Sequence, residues 1–83
     1  MNTKDKPDII EITKLRECQE ATIIKIGGCH KSIKRLADLG LTPNTKVQLI
    51  RKAIFGGPVE IKAKGTNLVL GKGLAAKILV TRS

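Results

Sequence analysis

Residues 31–43 read KSIKRLADLGLTP, and this stretch decides how the chain around it is folded. Ile33, Leu36 and Ala37 fall at i, i+3 and i+4, with Lys31, Lys34, Arg35 and Asp38 on the other faces. That period predicts a short helix over 31–39. Gly40 is placed to take the left-handed position just past the helix, where Leu41 supplies the apolar contact that commonly follows. Thr42-Pro43-Asn44-Thr45 then reads as a tight turn, since proline presets φ and asparagine tolerates the left-handed region.

On either side of this helix the period drops to two. Ala21 to Ile26 is a strand ended by Gly27-Gly28, with Thr22, Ile24 and Ile26 on one face. Val47 and Leu49 alternate with Lys46 and Gln48. Phe55-Gly56-Gly57-Pro58 makes a hairpin connection. Val59, Ile61 and Ala63 alternate with Glu60, Lys62 and Lys64, and Gly65-Thr66-Asn67 turns the chain into a strand that points Leu68 and Leu70 inward. Upstream, Ile10-Glu11-Ile12 forms a short strand, and Thr13 caps a single turn that places Leu15 inward. Downstream, one helical turn near 72–77 precedes a last strand, Ile78-Leu79-Val80. The pattern predicts a mainly β fold, a small closed barrel of five to six short strands with one inserted helix. Closure removes the exposed edges that make small sheets adhesive.

Composition agrees. Eleven Ile, nine Leu and four Val stand against one Phe and no Trp or Tyr. This β-branched bias suits a pleated surface. A chain of 83 residues holds one domain. Residues 1–8 read as a loose tail ahead of a single domain over 9–83. No signal-peptide pattern and no apolar run of about 20 residues is present, so the expected location is cytoplasmic. Two cysteines, Cys18 and Cys29, do not make a disulfide framework.

Sixteen Lys and Arg against seven Asp and Glu give a net charge of +9. Such an excess steers acidic partners toward the chain without saying which: nucleic acid, anionic lipid or acidic protein. Small barrels that hold single-stranded nucleic acid stack bases on aromatic side chains. Phe55 is the one candidate here, so nucleic acid is not the favoured partner. Phe55 itself has two readings: it folds back to plug a barrel end, or with Ile54 it forms an exposed apolar tip.

Catalytic signals are absent. The one histidine, His30, adjoins Cys29, and adjacency in sequence does not aim a base at a thiol. Cys29 and His30 are weak candidates for metal, because a structural zinc site wants four ligands at recognisable spacings. Gly71 to Ala76 nearly matches the dinucleotide-binding fingerprint, but no full βαβ unit or later acidic residue follows. No enzyme activity, small-molecule substrate or cofactor is expected.

The order of these elements resembles the ferrous-iron transport protein A (FeoA) family. The residues that carry the resemblance are Ala21 to Ile26, Gly27-Gly28, Leu36 to Pro43, Gly57 to Ile61, Leu68 to Leu70 and Ala76 to Val80. It covers about Ile12 to Arg82. The chain departs from the pattern where Glu17-Cys18 replaces a Pro-Gly turn, where Asn44 replaces Gly, and where Gly71 and Gly73 weaken the last helix. The resemblance implies an SH3-like barrel acting as a non-enzymatic cytoplasmic accessory of FeoB, the membrane ferrous-iron transporter with a cytosolic G-protein domain. On that reading Lys31, Lys34 and Arg35 steer the encounter, while Ile54 and Phe55 anchor it. Gly40, Pro43, Asn44, Gly56 and Gly57 shape the turns. The alternatives are a barrel binding nucleic acid non-specifically and a protein that holds ferrous iron transiently through Cys29 and His30.

Overall fold

Alternating apolar residues build nearly all of the molecule. The computed structural model describes residues 9–53 and 56–82. Strand β1 (Ile9–Glu11) runs into a 3₁₀ turn (Ile12–Lys14), followed by β2 (Glu20–Ile26) and helix α1 (His30–Asp38). Then come β3 (Lys46–Lys52), β4 (Val59–Ala63), β5 (Thr66–Leu70), the one-turn α2 (Lys72–Ala75) and β6 (Ile78–Arg82). The six strands form one antiparallel sheet in the order β1-β6-β2-β3-β4-β5. It wraps around a core of Ile12, Leu15, Ile23, Leu36, Leu41, Leu49, Ile61, Leu70, Ile78 and Val80, all buried aliphatic residues.

The expected closure is only partial. β1 and β5 end the strand order and are not paired with each other. The 3₁₀ turn after β1 packs instead against α2, which follows β5. The fold keeps the SH3-like shape but retains two edges.

Helix α1 stops as its sequence predicts. The Gly40 N–H donates to Ala37 O at 2.9 Å and the Leu41 N–H to Leu36 O at 2.9 Å, a complete Schellman motif. Gly40 sits at φ +87°, where a side chain is disfavoured. The chain then turns back onto β2: the Asn44 N–H donates to Ile23 O at 2.7 Å, and the Ile23 N–H to Thr45 O at 2.9 Å. Asn44 takes the left-handed region at φ +75°. The buried Thr45 hydroxyl meets that of Thr42 at 3.1 Å, so it stays satisfied inside the turn.

Four expectations need correction. Thr22, Ile24 and Ile26 do not share the inner face of β2; Ala21, Ile23 and Ile26 do. The register slips between Ile23 and Lys25, so Ile24 is an extra, exposed residue that inverts the alternation. In α1 only Leu36 is buried, while Ile33 and Ala37 stay exposed. Leu41, arriving from beyond the helix, joins Leu36 in the core. Thr13 lies within the 3₁₀ turn rather than capping it; its hydroxyl donates to the Glu11 carboxylate at 3.0 Å. Finally, the β4–β5 turn is Lys64-Gly65, not Gly65-Thr66-Asn67. Both residues have positive φ (+52° and +79°), as a two-residue type I′ hairpin requires, and Ala63 pairs directly with Thr66.

Candidate functional site

Lys31, Lys34 and Arg35 come together on one side of α1. Their i, i+3, i+4 spacing puts them on a common stripe, opposite the buried Leu36. All three are exposed, and among the described residues none makes an ion pair or side-chain hydrogen bond. By contrast Arg51 meets Glu60 at 3.4 Å, and the Lys52 ammonium donates to Thr13 O at 3.1 Å. The first turn of α1 holds His30 and Lys31 and no acidic residue. Cations at the positive end of a helix oppose the macrodipole and cost a few tenths of a kcal/mol each. Lys31 therefore opposes the dipole, whereas Arg35, in the last turn, is favourably placed.

The apolar half of the expected site leaves from elsewhere. α1 enters β3 at its N-terminal end, while the connection 53–58 leaves from its C-terminal end, a seven-residue strand away. That is on the order of 20 Å along the strand. Ile54 and Phe55 lie outside the described residues. Of their loop, Ala53 N–H donates to Pro58 O at 3.0 Å, and Gly56 sits at φ +75° against the Lys72 side chain. Gly57 is half-buried. The structure thus groups the three cations, while the two expected apolar residues lie outside what it describes.

Cys29 is the N-cap residue of α1, exposed, with Sγ 3.7 Å from the Ser32 hydroxyl. The Ser32 backbone N–H and hydroxyl, then the Lys31 N–H, favour the thiolate and hold the Cys29 thiol below its ordinary value. His30 is the next residue and also exposed. Among the described residues no cluster of three or more His, Cys, Asp or Glu side chains forms here or elsewhere. Cys29 and His30 therefore lack the third and fourth donors of a closed site.

A shallow depression of about 170 Å³ on the outer face of β2, β3 and β4 is lined by Glu20, Lys46, Gln48 and Lys62 among others. It contains no nucleophile with a base beside it. No helix among the described residues is long and apolar enough to cross a membrane.

Comparison with known proteins now has a geometry to act on. The FeoA domain model matches residues 10–82, which is nearly every element described above. The chain belongs to the FeoA family. A Methanocaldococcus jannaschii protein provisionally named Fe(2+) transport protein A is 37% identical over 65 residues, 78% of this chain and 77% of that one. A crystal structure described as an iron uptake regulatory protein (FeoA) superposes with a TM-score of 0.85 at 25% identity, covering 92% of this chain and 100% of the other. The FeoA protein of Chlorobium tepidum gives 0.80 at 26% identity, over 88% and 70% of the two chains. A manganese-dependent transcriptional repressor shares the fold (TM-score 0.86, 16% identity), and this chain spans 44% of its length. Within the family frame, two departures in sequence fall on left-handed backbone. Cys18, at φ +67°, and Asn44, at φ +75°, both stand where glycine is the residue best suited to the backbone. The left-handed backbone at Cys18 was not expected from the sequence, since no glycine or asparagine marks it.

Proposed function

We propose that this FeoA-family chain is a non-enzymatic cytoplasmic accessory of ferrous-iron uptake. It docks on the cytosolic G-protein domain of a FeoB-type membrane transporter and modulates uptake. The observation that carries this reading is the stripe of Lys31, Lys34 and Arg35, three exposed cations unpaired among the described residues on one side of α1. Family membership supplies the iron-uptake context, since relatives are named for Fe(2+) transport and iron uptake. Unpaired cations on a rigid scaffold raise encounter rates with an acidic protein surface. Ile54 and Phe55 remain the proposed apolar contact for the same partner.

The reading is tested in cells that depend on this chain for ferrous-iron uptake. Replacing it with the Lys31→Glu, Lys34→Glu, Arg35→Glu triple variant is expected to reduce uptake to that of cells lacking the chain, with the variant folded and at normal abundance. Full uptake with the triple variant contradicts it.

A further inference from the structure

Alternation sorts β3, β4 and β5 into two faces. Val47, Leu49, Val59, Ile61, Ala63 and Leu70 point into the core, so Lys46, Lys62, Asn67 and Val69 point outward. Gln48 pairs with Lys62 and Val47 with Ala63, which puts Lys46 diagonal to Lys62, about 7–8 Å away across the ladder. Lys64, first residue of the β4–β5 turn, comes level with Lys46. All three lysines are exposed, and among the described residues none makes an ion pair or side-chain hydrogen bond.

Neighbouring carboxylates do not offset this charge. Glu60, on the same face, meets Arg51 at 3.4 Å and accepts from the Asn67 amide at 3.0 Å. Glu20 lies on β2, separated from Lys62 by Gln48. Lys46, Lys62 and Gly65 line the shallow depression of about 170 Å³, larger than one phosphate group. The face also holds an apolar side chain. Val69 stands diagonal to Lys62 and is 69% exposed, the most open of the large hydrophobic residues described.

We infer that this face is a contact site for an anionic membrane surface, with the three ammonium groups among headgroup phosphates and Val69 entering just below them. The free cations are all lysines. Compact charges on flexible stems follow a mobile plane of phosphates, whereas the fixed carboxylates of an acidic protein are better matched by the planar fork of arginine. The one arginine on the face, Arg51, is already paired. Single-stranded nucleic acid stacks its bases on aromatic side chains, and the described residues include no Phe, Tyr or Trp. Duplex nucleic acid would leave Val69 with nothing apolar to meet. The inference uses none of the α1 cations and is independent of the transporter reading.

The probe is vesicles of phosphatidylcholine containing about one-third phosphatidylglycerol, mixed with the full chain near 100 mM salt and scored by co-sedimentation. Saturable binding is expected, with none to phosphatidylcholine alone. Each lysine near such a surface tightens binding about fivefold, so the Lys46→Gln, Lys62→Gln, Lys64→Gln variant should bind on the order of 100-fold more weakly. The Lys31→Gln, Lys34→Gln, Arg35→Gln variant removes the same net charge and should lose less than about fivefold. Val69→Ser, a change at a solvent-facing side chain, should weaken binding about threefold or more, an effect that a soluble polyanion would not show. A short DNA duplex and poly-glutamate are titrated alongside. Four results overturn the inference. They are no binding to the anionic vesicles, equal losses in the two triple variants, no effect of Val69→Ser, or tighter binding to the duplex or to poly-glutamate than to vesicles of equal charge.

Discussion

Leu36→Ala is the substitution whose outcome discriminates most sharply. Leu36 is the one buried residue of α1, at 0% exposure, and its carbonyl accepts the N–H groups of both Leu39 and Leu41 at the helix end. Truncation removes about three buried methylene equivalents, roughly 2.4 kcal/mol of transfer free energy. A cavity penalty raises the total to about 3–4 kcal/mol. Ile33→Ala deletes a similar volume from the position that periodicity treats as equivalent. Ile33 is 39% exposed, so the transfer loss falls to about 1.5 kcal/mol, with no enclosed cavity and a small gain in helix propensity. The expected net cost is about 1 kcal/mol. A domain of 83 residues has on the order of 4–12 kcal/mol of stability. Leu36→Ala should thus lower Tm by roughly 12 °C or more and Ile33→Ala by about 4–8 °C. Urea denaturation of the two variants, with m unchanged, measures both. Equal costs at the two positions would refute the claim that α1 is held by Leu36 alone.

Other outcomes follow from the backbone and from charge. Cys18→Gly and Asn44→Gly relieve left-handed strain and should each stabilise the fold by about 0.5–1 kcal/mol, whereas Asn44→Ala should cost about 1 kcal/mol, all read from chemical denaturation. Lys31→Glu should raise thermal stability by a few tenths of a kcal/mol while weakening transporter binding, a combination that a purely structural residue would not give. Iodoacetamide alkylation of Cys29 should show a midpoint below the ordinary thiol value, and Ser32→Ala should move it upward by removing one donor to the thiolate. The sign for folding is set by the depressed pKa: the thiolate favours the folded state at alkaline pH, and this contribution is lost as pH falls through the folded-state value.

Local chemistry made much of this fold legible. The Leu36-to-Pro43 segment announced a helix, its Schellman stop and the turn onto β2, because each rests on residues within a few positions of one another. The alternation in Val59–Ala63 likewise matched its burial. The failures came where a single residue changes phase through tertiary pairing. Ile24 is extra only relative to Val80 and Leu79 on β6, and no local pattern reveals that. Ile33 lost its place in the core to Leu41, a competition settled in three dimensions. The same division holds for the candidate site. The stripe of Lys31, Lys34 and Arg35 follows from helical spacing alone. That β1 and β5 end the sheet, unpaired with each other, depends on strand order.

Direct titration of the chain into the cytosolic G-protein domain of the cognate transporter, near 150 mM salt, tests the account where it is most exposed. The account predicts saturable binding in the micromolar range, weakened about tenfold or more by the Lys31→Glu, Lys34→Glu, Arg35→Glu variant. No saturable binding, or equal affinity for the two proteins, would contradict it.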